Sequence, residues 1–240
     1  MTNTSFLLAK FGQKEHLESL ANGIVYLNPI SKYRNDTTNY RGDNNEGAIP
    51  IDPSEIKIFD EAGKNLFDKI PRPTYAKQTR VGDDSMLMFC ASMITMKVLH
   101  NLNESYVFTN DYKSSIREFG EYVLLFHSEE LLALLRNSQK SANPPFGFDS
   151  GPIIYRDLND FSKDGDYYSA YRATGSNLDP CFVKSDTYEM QNEWRLIVDG
   201  SYEPLPTNDD GSYTIKIDKM EWAFLYETET FLETFTWKND

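Results

Sequence analysis

The sequence predicts a single α+β domain over residues 1–240, made of mixed and antiparallel sheets with a few short helices. Three observations carry that expectation. Apolar runs of strand length outnumber runs with helical spacing. The chain opens on a compact strand–helix–strand unit. No internal repeat, linker or low-complexity tract divides it, and its length suffices to bury one core.

In chain order, Phe6 to Phe11 reads as a strand ended by Gly12. Gln13 to Asn22 sets Leu17 and Leu20 at helical spacing, and Asn22-Gly23 supplies a C-terminal stop. Ile24 to Leu27 is a second strand, and Pro29 opens a turn or helical piece through Tyr33-Arg34. Residues 35–50 (NDTTNYRGDNNEGAIP) are polar and aperiodic, a length that marks function or mobility. Ile56 to Phe59 alternates like a strand, with a hairpin turn over Asp60 to Gly63. Met86 to Met93 (MLMFCASM) is apolar enough for a buried central strand. Tyr106 to Phe108 and Glu121 to Phe126 are further strands. Ser128 is expected to cap a helix over Glu129 to Asn137, with Leu131, Leu134 and Leu135 facing the core. Gly151 to Tyr155 reads as a strand and Asp157 to Asp179 as a polar, Tyr-rich loop. Tyr213 to Ile217 and Trp222 to Tyr226 close the fold as strands.

The net charge of −13 argues against broad sequence-independent binding of nucleic acid, which needs a surplus of Lys and Arg. A local basic group remains near the start, in Lys10, Lys14, Lys32, Arg34 and Arg41. The two cysteines, Cys90 and Cys181, are too few for a disulfide framework and fit a reducing compartment. With no leader pattern at the start and no apolar run of membrane-spanning length, a cytoplasmic location is expected. The aromatic share of 14% serves either a core or a pocket for flat ligands such as nucleobases or nicotinamide. P-loop, G-x-G-x-x-G, C-x-x-C and G-x-S-x-G motifs are all missing, and His16, His100 and His127 show no metal-ligand rhythm. Arg41-Gly42-Asp43 reads as a turn with a local ion pair.

The densest set of functional groups lies in Cys181 to Asp199 (CFVKSDTYEMQNEWRLIVD), which holds Lys184, Tyr188, Gln191, Glu193 and Arg195. If its apolar end is a strand, alternation puts Glu193, Arg195 and Ile197 on one face and Trp194, Leu196 and Val198 on the other. A carboxylate and a guanidinium there need partners or a ligand. Glu193 could stabilise a developing cation or accept from a ribose hydroxyl, and Gln191, two residues away on the same extended face, could hold an acceptor. The alternative is a structural ion pair between Glu193 and Arg195, with Gln191 solvated. Lys10 could meet an anionic cofactor, with Phe11, Tyr26 or Tyr33 as a stacking face, or lie on the surface beside core aromatics. The loop bearing Arg34 and Arg41 could fold over a phosphate or be self-neutralised. Ser92 offers a hydroxyl at a strand end, or is a satisfied core serine.

Taken together, KFGQKEHLESLANGIVYLNPISKYR, RGDNNEG, MFCASM and FVKSDTYEMQNEWRL resemble the bacterial family known as domain of unknown function 2971. The strand–helix–Asn-Gly-Ile opening is also similar to that of ADP-ribosyltransferases of the diphtheria-toxin and DNA-targeting toxin types. That resemblance implies an ADP-ribosyltransferase-like fold. It also implies NAD as substrate, with Lys10 in the place of a first-strand NAD contact, Ser92 as the middle-strand hydroxyl and Glu193 as the catalytic glutamate after Gln191. The first strand lacks the usual Arg or His-x-Thr, and no Ser-Thr-Ser follows Cys90. Lys10 or Arg34 would hold the pyrophosphate, and Phe11, Tyr33, Arg41 and Arg195 complete the expected cofactor contacts. The implied protein is a toxin or phage-defence effector that modifies a protein, DNA or RNA, with a possible cognate antitoxin and no membrane attachment. The alternative is a non-catalytic sensor or partner-binding protein of a bacterial defence system.

Overall fold

The computed structural model describes residues 5–38, 42–68, 70–74, 76–79, 85–158, 179–200 and 204–238. The opening unit forms as its sequence dictates: β1 (Leu7–Gly12), α1 (Lys14–Ala21) and β2 (Ile24–Pro29). Leu17 and Leu20 are the buried stripe of α1. Gly23 turns the chain at φ +92°, where a Cβ would collide with the backbone of Ile217. α2 (Ile30–Arg34) follows β2 directly.

β3 (Ile49–Ile51) pairs with β4 (Ala76–Gln78) in a small separate sheet. β5 (Met86–Ile94) is the buried central strand. β6 (Leu99–Leu102) and β7 (Ser105–Phe108) make a hairpin that leads into α3 (Asn110–Ile116). β8 (Tyr122–His127) runs into α4 (Ser128–Gln139). β9 (Phe148–Pro152) and β10 (Ile154–Arg156) precede β11 (Val183–Ser185) and β12 (Glu193–Asp199). β13 (Tyr213–Lys216), β14 (Phe224–Glu227) and α5 (Thr228–Thr234) complete the chain.

The expected α+β architecture is present. The main sheet has eight strands in the order β13-β2-β5-β1-β8-β14, with β12 on β5 and β9 on β12. All of its pairings are antiparallel. Among the described residues only β10 and β11, in a two-stranded sheet, run parallel. One core lies between the sheet and α1 and α4, and a second, rich in stacked rings such as Phe108 on Tyr112 at 4.9 Å, lies under α3 and α5. Among the described residues, no helix is long and apolar enough to cross a membrane.

Three local expectations change, and two helices were not expected. Ile56 to Phe59 is not a strand; Phe59 makes only an isolated bridge to Asn65. Ile58 and Phe59 are exposed, so their alternation has no buried face to hold it in a sheet. The run Gly151 to Tyr155 breaks at Ile153 into β9 and β10, in different sheets, just after Pro152, which has no N–H to extend a ladder. Ser128 is the first residue of α4 rather than its cap, and its Oγ accepts the Phe6 N–H at 2.9 Å. Finally, α3 and α5 are too short to show a helical period. Thr109 nevertheless caps α3, its side chain accepting the Tyr112 N–H at 3.2 Å.

Candidate functional site

The cleft of this protein follows from a conflict of registers on β5. One edge of β5 is filled by β12 from Met86 to Ser92. The other edge is shared: β2 pairs at Leu87 and Met88, and β1 pairs from Ser92 to Ile94. Extending each ladder by two residues would set Tyr26 and Phe11 both opposite Cys90. Two strands cannot occupy one place, so they part there and α1 bridges the gap. The opening is a cavity of about 720 Å³, walled by β1, α1 and β2, floored by Phe89 to Ser92, and closed at one end by Lys184, Gln191 and Glu193.

β12 alternates as its sequence requires. Trp194, Leu196 and Val198 enter the main core, while Ile197 joins Met88 and Cys181 on the face that carries Glu193 and Arg195. Gln191 reaches that face differently from expectation. It ends a 3₁₀ turn over Asp186–Gln191, and Asn192 takes the left-handed conformation at φ 45° before β12 begins. Asn192 holds that turn with side-chain bonds to the Met93 carbonyl at 2.8 Å and Thr95 Oγ1 at 2.9 Å. Asparagine is among the few residues that adopt this conformation readily, the one local signal of the turn.

Glu193 is 6% exposed and lies at the centre of a charged cluster. Arg195 Nε donates to Glu193 Oε1 at 2.6 Å, and Lys184 Nζ donates to Glu193 Oε2 at 3.0 Å. Lys184 also donates to Gln191 Oε1 at 2.9 Å, and its ammonium sits 4.6 Å from the Tyr188 ring centre. The guanidinium of Arg195 forks onto Glu46, with Nη2 to Oε2 at 2.9 Å and Nη1 to Oε1, and Nη1 reaches the Cys181 carbonyl at 2.5 Å. Two carboxylates and two cations balance. Burial alone would raise the pKa of Glu193, but Arg195 and Lys184 outweigh it and hold the carboxyl well below the usual range. For Glu46 burial prevails over Arg195 and raises the pKa, so of the two acids Glu46 protonates first as pH falls. Burial, with the negative charge of Glu193, pushes the Cys90 thiol far up.

The expected site residues fall into three groups. Lys10, Ser92, Gln191 and Glu193 line the cleft together, as do Phe11 and Tyr33. Lys10 Nζ donates to the Cys90 carbonyl at 2.6 Å, filling the gap in the ladder, and lies 4.7 Å from the Phe89 ring centre. The ring of Phe11 packs in the second core against Phe231. Tyr33 OH donates to the Met88 carbonyl at 3.3 Å. Ser92 Oγ donates to the Gln191 carbonyl at 2.7 Å, so its 2.9 Å contact with Tyr112 OH is one it accepts. Its role is to tie β5 to the Gln191 turn.

Two expected contacts are corrected. Arg195 is wholly buried behind Glu193 and does not line the cleft; its guanidinium donates to Glu193, Glu46 and the Cys181 carbonyl. Arg34 binds the Glu46 carbonyl, from Nε at 3.0 Å and Nη2 at 2.6 Å, and so shapes the 44–47 turn rather than facing the cleft. Arg41 lies outside the described residues. Gln191 is buried, not solvated. Sequence reading missed Glu46 as a partner of Arg195, because 149 positions separate them. It also missed Tyr155, whose OH accepts the Glu193 N–H at 2.8 Å.

Among the described residues no group of His, Cys, Asp and Glu could hold a metal ion. The chain matches no protein-family model, no curated protein and no solved structure.

Proposed function

We propose that the cleft binds NAD and transfers its ADP-ribose to a macromolecular acceptor, the activity of a bacterial toxin or defence effector. One observation carries this reading: Lys10, Ser92, Gln191 and Glu193, spread over most of the chain, line a single cleft. Its volume lies within the range of about 300–1,000 Å³ typical of small-molecule sites.

In the proposed reaction the C–N bond between ribose and nicotinamide breaks, and the nicotinamide leaves with the electron pair as a neutral base. The sugar becomes cationic, the acceptor atom bonds to it, and the acceptor gives up its proton. Glu193 supplies negative charge against the sugar, as carboxylates do at related oxocarbenium-like centres. A carboxylate has about four acceptor positions. Arg195 and Lys184 fill two, one on each oxygen, and a ribose hydroxyl can take another. Lys10 and the Phe89 ring give the cleft a cationic and an aromatic surface.

The test is incubation with labelled NAD and cell lysate, beside Glu193→Gln. Labelled macromolecule, or NAD consumption, that is lost in a folded variant supports the proposal. Neither label nor consumption by the unaltered protein sinks it. A second reading, a sensor that binds in the cleft without turnover, is favoured by the cations already present on both Glu193 oxygens. NAD would then raise the melting temperature and remain intact.

A further inference from the structure

We propose that Lys184 is a positioning residue of this site, which holds Glu193 charged and the Gln191 amide in one orientation. The inference rests on the transfer reading of the cleft. Its geometry is direct. Lys184 Nζ is 2.9 Å from Gln191 Oε1 and 3.0 Å from Glu193 Oε2, with its side chain 4% exposed. An ammonium only donates, so the end of Gln191 that faces it must be the carbonyl. A flipped amide would set N–H against the ammonium. Ser92 holds the main-chain carbonyl of the same residue, so Gln191 is fixed at both ends.

Charge assigns the second part of the role. The groups around Glu193 are Arg195 on its own strand, Lys184 on β11, Cys90 on β5, Glu46 in the 44–47 turn, Tyr33 on α2 and Tyr155 on β10. Arg195 sends two of its nitrogens to Glu46 and one to Glu193. Lys184 is therefore the second cation on Glu193, beside Arg195 Nε, and the one that makes no fork with Glu46. Without it two buried carboxylates would share one guanidinium: Glu46 would hold its proton to higher pH, and Glu193, stripped of the ammonium on Oε2, would also titrate higher. The Lys184 ammonium in turn stays charged at neutral pH: burial lowers its pKa, but Glu193 and Glu46 prevail and raise it.

The experiment compares the full chain with Lys184→Met, Lys184→Gln and Lys184→Arg. The Glu193 carboxyl is followed by ¹³C NMR and assigned by its absence from Glu193→Gln. Its titration midpoint is expected to rise by about 1–3 pH units in Lys184→Met and Lys184→Gln, and to return in Lys184→Arg. The acid limb of NAD consumption should move with it, while KM for NAD changes less than about threefold, as for a group that acts on the reacting carboxylate. If Lys184→Met does not fold, Lys184→Gln carries the same expectation. An unmoved carboxyl titration overturns the proposal, as does a loss of rate uniform in pH. Absence of NAD consumption by the unaltered protein would instead overturn the transfer reading, and the carboxyl titration would still decide what Lys184 does.

Discussion

The buried cluster makes its strongest prediction at Arg195 and Glu46. Glu46 and Glu193 carry two negative charges, and Lys184 and Arg195 two positive ones, so the group is neutral. Arg195→Met leaves two carboxylates against one ammonium, with the Cys181 carbonyl losing its donor as well. Removing one member of a buried pair costs about 3–5 kcal/mol, a large part of the roughly 5–15 kcal/mol that holds a domain together. For a chain of this size that is a fall in melting temperature on the order of 10 °C. Glu46→Leu strands a positive charge and should cost a similar amount. The double variant keeps Lys184 and Glu193, which neutralise each other, so it should be no less stable than either single one. Urea denaturation of all four proteins closes the cycle, with an expected coupling of at least about 3 kcal/mol, the cost of one single variant. Additivity to within about 0.5 kcal/mol would show that the two side chains do not act as a unit, and the charge argument would fail.

Three further outcomes follow from the same geometry. Glu193 has a depressed pKa, so its contribution is complete above its ordinary value of 4.5 and is lost as pH falls below it. The unaltered protein should lose up to about 1.4 kcal/mol per pH unit there relative to Glu193→Gln; parallel stability curves for the two would contradict the assignment. Glu46, whose pKa is raised in part by Glu193, acts with the opposite sign and offsets part of this difference, so the slope is an upper bound. Asn192→Ala should cost about 2–3 kcal/mol, from left-handed strain and lost hydrogen bonds. Asn192→Gly should recover the strain, and equal losses in the two would point away from the backbone. Lys10→Met should raise about tenfold the NAD concentration needed for a given thermal shift, about 1.4 kcal/mol of binding, and an unchanged dose curve would remove Lys10 from the site.

Much of the local structure was legible. The opening unit, the central strand and the helix of Leu131 and Leu135 each carry their own period and stop signals, and all formed within a few residues of expectation. The false strand at Ile56 to Phe59 shows the limit of that method. Alternation describes a ribbon with two unlike faces, but only a neighbour and a buried side make it a strand. The Gln191-Glu193 pair was found for a partly wrong reason. The two meet at Lys184 across a left-handed turn, not along one extended face.

The sequence by itself determined which face of β12 carries Glu193 and Arg195, because that follows from a two-residue repeat in one short segment. Where those side chains would end up was decided only in three dimensions. Arg195 was claimed by Glu46 from the far end of the chain, and Glu193 was left at the wall of a cleft. That cleft exists because β1 and β2 contest one edge of β5 and part at Cys90. Which residues stand opposite one another is a property of strand pairing over long separations, and no local pattern encodes it.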